Sequence, residues 1–430
     1  MSVAAGGRRA LPKVPFSVVA KPTGAACNLD CSYCFFLTKD LLHDPTDAQR
    51  MSPETLRAYV ANHLDSHPDG DVTFIWQGGE PTMRGLGFYR DAVRLADELR
   101  RPGQRVRHSM QTNGVLLDDE WCAFLAEHEF LVGLSLDGPE RMHDEYRVNR
   151  AGRGTHAQVV RGWEFLRKHG VETNILCTVN AANADHGLEV YRYFRDELGA
   201  TFLQFIPVVE RVPAHLLPAA ERGWRDDDGR RVLYRQTGAA TTSRSVTGEG
   251  YGEFLVAIFD EWVRRDVGTV FVQDFDAMLG ARFGQYSMCV HAPECGTAPA
   301  VNHDGALYSC DHYVEPGYRI GSVMENSIGE ALAGEAQRDF GRAKRSALTD
   351  QCRRCPVCWA CHGGCPKDRF GTSVDGEPGH NVLCAGYSRF FLHAAPVIDD
   401  MARLLREGRA PAEVMGRRPI VPSSWPLRDQ

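Results

Sequence analysis

Long apolar runs are missing from this 430-residue chain, since no stretch approaches the ~18 uninterrupted apolar residues of a membrane-spanning helix. An integral helical membrane protein is thereby excluded. Residues 1–14 contain Arg8 and Arg9 but no apolar run, so a secretory signal is not expected there. Blocks of five or six basic residues are absent as well, and 49 Lys plus Arg against 56 Asp plus Glu leave a net charge of −7. That balance argues against a nucleic-acid footprint or a polybasic membrane anchor. No internal repeat recurs at a solenoid-like period. With 43% hydrophobic and 24% charged residues the chain is neither disordered nor collagenous, and its length suits two or three domains. Partners are therefore expected to be proteins or small molecules, not nucleic acid or membrane, and the expected location is the cytoplasm. What the chain does have is 14 cysteines. In a reducing compartment they are not expected to form disulfides, which leaves metal or cluster ligation as the leading explanation.

From residue 14 to about 210, β-type apolar runs alternate with longer segments of helical period, the pattern of β-α units around a parallel sheet. Strands are expected at 16–20, 72–76, 105–110, 131–136, 173–179 and 202–206, with helices at 53–66, 87–99, 118–128, 156–169 and 184–198. In a barrel of such units chemistry gathers at the C-terminal ends of the strands. The special residues fall there. Cys27-Asn-Leu-Asp-Cys31-Ser-Tyr-Cys34 follows the first strand, Gln77-Gly78-Gly79-Glu80-Pro81 the second, Gln111-Thr112-Asn113-Gly114 the third and Ser135-Leu-Asp137-Gly138-Pro139 the fourth. Residues 237–250, rich in Gly, Thr and Ser, read as a loop or linker. Residues beyond about 409, with Pro411, Pro419, Pro422 and Pro426, read as a surface-bound or mobile tail.

Cys27, Cys31 and Cys34 are spaced C-x3-C-x2-C within a loop. Three thiolates satisfy three irons of a 4Fe-4S cubane and leave the fourth with an open position. A zinc site needs a fourth Cys or His close by, and the nearest histidine is His43. Buried packing is the bland alternative, and it suits Cys122, in an expected helix, and Cys177, in an expected strand. Nine of the 14 cysteines lie between 289 and 384. They run Cys289, Cys295-x9-Gly305-x4-Cys310, then Cys352-x2-Cys355-x5-Cys361-x3-Cys365 and Cys384. Eight ligands are enough to hold two cubanes completely, which implies electron transfer rather than substrate chelation. A pair of zinc knuckles shares the C-x2-C spacing. Cys358 sits in the same loop, and spacing does not exclude it as a ligand.

The first cluster loop, together with Gly78-Gly79-Glu80-Pro81 one strand later, resembles the radical S-adenosylmethionine (SAM) enzymes. The later cysteines resemble the SPASM module of auxiliary iron-sulfur clusters. The resemblance implies an α/β fold: a partial (β/α)6 radical SAM barrel over 14–235, a linker or helical bridge over 236–285, a SPASM-like domain over 286–394, and a C-terminal helix and tail over 395–430. It also implies three 4Fe-4S clusters: a SAM-binding one on Cys27, Cys31 and Cys34, a nearer auxiliary one on Cys289, Cys295, Cys310 and Cys365, and a farther one on Cys352, Cys355, Cys361 and Cys384. Among SPASM enzymes the chain is similar to the anaerobic sulfatase-maturating enzymes, which oxidise a sulfatase Cys or Ser to formylglycine. That similarity rests on Cys27 to Phe36, Trp76-Gln-Gly-Gly-Glu-Pro-Thr82, Leu117-Asp-Asp-Glu-Trp121, Leu131 to Pro139, Phe202-Leu-Gln-Phe-Ile206 and Cys310-Asp-His-Tyr-Val314.

By the same resemblance Gly78, Gly79 and Glu80 meet SAM, although Gly-Gly before a proline is also an ordinary turn, and Gln77, Gln111, Ser135 and Arg147 contact SAM or substrate, although each alone also suits a strand-end polar group that satisfies backbone amides. Asp311 is implied as the base that takes the substrate proton. A carboxylate beside a cluster-ligating thiolate is expected to have a raised pKa. The implied partners are a sulfatase polypeptide and a reducing donor such as ferredoxin or flavodoxin. Phe36 stands where many relatives carry Tyr, and the insertion at 211–250 is expected at the barrel mouth, where it would shape peptide access. Two alternatives differ in product. A SPASM maturase would crosslink a small ribosomal peptide, and a zinc-stabilised binding protein would catalyse nothing. With only about 15 residues before the first strand, the recognition domain expected of many crosslinking enzymes is missing, which favours sulfatase maturation.

Overall fold

The computed structural model describes residues 16–44, 46 and 48–416. The expectations for residues 1–15 and 417–430 lie outside it. Six strands, β1 (Val19–Lys21), β2 (Gly70–Trp76), β3 (Gln104–Thr112), β4 (Leu131–Ser135), β5 (Thr173–Val179) and β6 (Phe202–Pro207), pair in parallel and in chain order. Period-two alternation sorts each strand between two faces. In β2, Val72, Phe74 and Trp76 are fully buried, and the Tyr59 and Tyr89 rings from flanking helices meet Trp76 edge-on at 5.8 and 5.7 Å. Helix starts follow their caps. Ser52 Oγ accepts from Thr55 N before the helix Pro53–Asp65, and Asp118 accepts from Trp121 N before Asp119–Glu127. The helix expected at 184–198 is instead a short α segment, Gly187–Arg192, running into a π turn, Tyr193–Glu197. Cys122 and Cys177 are both fully buried in the core, as expected.

The sheet does not stop at six strands. β7 (Phe271–Val272) adds in parallel beyond β6, and β8 (Ala300–Asn302) adds in parallel beside β1. β9 (Ala306–Tyr308) and β10 (Arg319–Ser322) continue the sheet antiparallel, giving ten strands in all. Short strands within residues 271–322 are therefore hydrogen-bonded to both edges of the six-stranded sheet. Strands of two to four residues carry too little alternation to be read as strands.

Residues 237–250, expected as a loop or linker, run as a loop with one short strand before the next helix begins at Gly248. Ala240–Thr241 pairs with Arg211–Val212. The Arg244 guanidinium binds the buried Glu210 carboxylate at 2.9 and 3.1 Å, and Trp224 Nε1 donates to the same carboxylate at 2.8 Å. Thr247 then caps the helix Gly248–Arg265. Small polar residues serve here as hairpin and cap, a composition that also fits a loop. The resulting flap lies over the first cysteine loop and not free at the mouth: Arg225 pairs with Asp30 at 2.6 Å, Arg231 pairs with Asp40 at 2.7 Å, and Tyr234 N donates to Thr38 Oγ1 at 2.9 Å. Among the described residues no helix is long and apolar enough to cross a membrane.

Candidate active site

The chain leaves β1 at Lys21 and turns through the loop that carries Cys27, Cys31 and Cys34. Backbone bonds hold this loop to the end of β2: Gly79 N donates to Gly24 O and Glu80 N to Ala26 O, both at 2.8 Å. The Arg150 guanidinium grips the Cys27 carbonyl at 2.6 Å, and Asn113 Nδ2 binds Asn28 Oδ1 at 2.8 Å. Burial pushes the Cys31 thiol up to about 12, and burial also raises those of Cys27 and Cys34. Cys31 and Cys34 each raise the Cys27 thiol further. Three such thiols, once ionised, need a cationic core to balance them, and this donor set suits a cluster with one ligand position left open.

The Gly78-Gly79 step is dictated by contact. Gly78 has φ +139°, and a Cβ on Gly79 would lie 2.0 Å from the Ala26 carbonyl oxygen. Gly79→Ala must therefore push the cysteine loop off β2, an overpacking cost of about 1–3 kcal/mol. The expected outcome is loss of iron and SAM binding at the N-terminal set with auxiliary iron retained, checked by iron content and SAM titration. Iron and SAM binding equal to wild type would contradict it.

Glu80, expected to meet the ligand, is also tied into the sheet. Its carboxylate is 1% exposed and accepts from Thr82 N (3.0 Å), Thr82 Oγ1 (2.6 Å), Thr112 Oγ1 (2.7 Å) and Asn113 N (2.8 Å). Three of these bonds fall on Oε1 and one on Oε2, so Oε2 keeps an open lone-pair position. Its side chain stitches β2 to β3 at the end of the sheet, directly after the Gly78-Gly79 step.

At the ends of β3 and β4, Gln111 Nε2 donates to Ser135 Oγ at 2.9 Å, so these two expected contacts form one polar pair. Arg147 is anchored rather than free: its Nε pairs with the fully buried Asp137 at 2.8 Å. Burial alone would raise the Asp137 carboxyl, but the Arg147 charge outweighs it and holds it below the usual range. Tyr33, between two of the cysteines, donates to Asp137 at 2.5 Å and accepts from Thr178 Oγ1 at 2.9 Å. Sequence reasoning did not single out Tyr33, Arg150 or Asn113 as site residues. The first is flagged only by being an aromatic hydroxyl inside the cysteine motif.

Asp311 follows β9, and its backbone N donates to Ala298 O at 3.2 Å. Its carboxylate meets Lys21 Nζ, at the end of β1, at 2.5 Å. The pairing of β8 with β1 produces this meeting. The expected rise in its pKa is not what the structure shows. Burial does push the carboxyl up, but the Lys21 ammonium, helped by His312, more than offsets it and holds Asp311 below the usual carboxylate range. Phe36 contributes to that arrangement: it is buried, and the Lys21 ammonium sits 4.2 Å from its ring centroid. At this position the chain offers an aromatic face to a cation.

The later cysteines fall into two groups. Cys310 senses the charges of Cys365 and Cys289, and Cys295 senses that of Cys289. Cys361 senses Cys384, Cys352 and Cys355, and Cys358 senses Cys352 and Cys355. Cys352, Cys355, Cys358, Cys361 and Cys384 line one recess. The first of these groups has a cation beside it, because buried Lys344 donates to the Cys289 and Val290 carbonyls at 2.7 and 2.9 Å.

Comparison with known proteins agrees with this geometry. Residues 22–193 match the radical SAM superfamily, and residues 293–356 match the SPASM iron-sulfur cluster-binding domain. The chain is 41% identical over 404 residues to the serine-type anaerobic sulfatase-maturating enzyme of Bacteroides thetaiotaomicron, covering 93% of this chain and 94% of that one. It is 30% identical over 395 residues to the cysteine-type enzyme of Clostridium perfringens, covering 91% and 100%. The solved structure of native anSMEcpe with bound AdoMet and Cp18Cys peptide superposes with a TM-score of 0.77 at 29% identity, over 91% of this chain and 100% of that one. SuiB bound to its precursor peptide SuiA shares the fold at 13% identity and a TM-score of 0.58. With a radical SAM barrel, an auxiliary cysteine module and full-length likeness to both substrate types, the chain belongs to the anaerobic sulfatase-maturating enzymes.

Proposed function

We propose that this enzyme makes formylglycine from a sulfatase serine, with Asp311 as the base, Cys27, Cys31 and Cys34 holding the SAM-binding cluster, and the two later cysteine groups holding auxiliary clusters. The observation that carries the reading is the Lys21–Asp311 pair, which holds a carboxylate at the end of β1 beside the first cysteine loop. Serine rather than cysteine is favoured because identity to the serine-type relative is 41% against 30% to the cysteine-type one. When bound, SAM on the first cluster supplies the radical that removes a hydrogen atom from the substrate Cβ, and the auxiliary clusters supply an acceptor for the remaining electron.

The chain's own residues then have defined tasks. Asp311 takes the hydroxyl proton. Lys21, 2% exposed at its side chain, keeps Asp311 ionised and in place. The Gln111–Ser135 pair and the residue 77–80 backbone line the SAM side, and Arg147, fixed by Asp137, holds positive charge near Cys31. The flap over residues 30–40 excludes water from the cysteine loop. An electron donor of ferredoxin or flavodoxin type and a cytoplasmic location complete the reading, because low-potential clusters need both.

The test is anaerobic incubation of the reconstituted protein with SAM, reductant and sulfatase-derived peptides bearing Ser or Cys at the target. The expected result is loss of two hydrogens from the Ser peptide, an aldehyde that reacts with a hydrazide, and faster turnover than with Cys. Faster turnover of the Cys peptide would reverse the substrate assignment, and a crosslinked product without aldehyde would refute the reaction.

A further inference from the structure

Cys361 and Cys365 belong to different auxiliary groups, yet only three residues separate them. All three, His362 (φ +46°), Gly363 (φ +70°) and Gly364 (φ +62°), are left-handed. Gly363 and Gly364 adopt such angles freely, but His362 does so only at a cost that an external hold must offset. Arg369 supplies it. Its Nη2 donates to the His362 carbonyl at 2.7 Å and to the Gly364 carbonyl at 3.3 Å, its Nε to the Gly363 carbonyl at 2.9 Å, and its Nη1 to the Lys344 carbonyl at 2.6 Å. A Cβ on Gly363 would lie 2.8 Å from that Nη2, so the backbone is drawn against the guanidinium. Only the rigid fork of Arg serves three carbonyls at once. The same cation interacts with Cys352 and Cys361 of one group and with Cys295 and Cys365 of the other. Lys344, by contrast, interacts with Cys289, Cys295 and Cys365 of the nearer group.

We infer that Arg369 is a positioning residue that locks the link between the two auxiliary clusters and sets their reduction potentials together. The inference rests on the assignment of the two cysteine groups as cluster sites. Reduction adds negative charge to a cluster, so a fixed cation touching the link favours the reduced form of both and raises both potentials. Electron flow between them then runs between two centres biased in common.

The test is an anaerobic redox titration of the holoprotein followed by electron paramagnetic resonance. In Arg369→Gln both auxiliary midpoints are expected to fall, the reduced fraction of each dropping about tenfold at a fixed potential, or ~59 mV for a one-electron couple, with the N-terminal cluster unmoved. In Lys344→Met only the nearer auxiliary midpoint is expected to fall. Unchanged midpoints in Arg369→Gln, or a shift in one cluster alone, would overturn the inference. Should Arg369→Gln not retain auxiliary iron, Arg369→Lys is read in its place. Joint loss or joint shift of the two clusters supports the coupling, whereas no change, or loss or shift of one alone, overturns it. Wild-type protein that holds no auxiliary cluster would refute the cluster assignment itself, a result distinct from unmoved potentials.

Discussion

Cys31→Ala is expected to abolish SAM cleavage while leaving the auxiliary iron in place. The N-terminal set has three ligands and no spare, since no other Cys lies in the loop from residue 26 to 39. Its thiols are already reluctant to ionise: burial pushes Cys31 up to about 12, so the site exists as a thiolate set only while a cationic core balances it. Two remaining sulfurs do not hold that core. The later cysteines are carried by separate segments with their own backbone ties, among them Cys295 N to Gly341 O at 3.1 Å and Cys355 N to Cys352 O at 3.2 Å. Iron and sulfide content should fall by one cluster's worth, and deoxyadenosine should fall to background in a discontinuous assay. Deoxyadenosine at the wild-type rate would remove Cys31 from the ligand set.

Asp311→Asn separates the two halves of the chemistry. The amide keeps the shape beside Lys21 but accepts no proton, so peptide oxidation is expected to fall by roughly 10² to 10⁴, the span of general acid–base catalysis. SAM cleavage in the presence of peptide does not need that proton and should continue, giving deoxyadenosine without aldehyde. Cysteine peptides should suffer less than serine peptides, because a thiol gives up its proton more readily. The Lys21 contact makes the Asp311 carboxylate a weaker base than its cluster-side position suggested. Peptide oxidation by Asp311→Asn at the wild-type rate would move the base elsewhere.

The two halves of the fold were not equally legible. β2 through β6 were placed within a residue or two, because each strand is long enough to show alternation. The cysteine motifs were legible for the same reason, since spacing survives without knowledge of packing. The Lys21–Asp311 pair could not be read in this way. It joins residues almost 300 positions apart through a three-residue strand that lies beside β1 only in the folded sheet. Glu80 shows the same limit: its motif points to a ligand, while its four hydrogen-bond donors appear only once β2 and β3 are side by side. The flap at 211–245 was obscured because Gly, Ser and Thr serve loops, hairpins and caps alike.

The most direct measurement is the paramagnetic resonance signal of the reduced N-terminal cluster, recorded with and without SAM in a variant whose auxiliary cysteines are replaced. An iron left open by Cys27, Cys31 and Cys34 requires SAM to change that signal. A cluster that is present at full stoichiometry and indifferent to saturating SAM would contradict the three-ligand site on which the proposed catalysis depends.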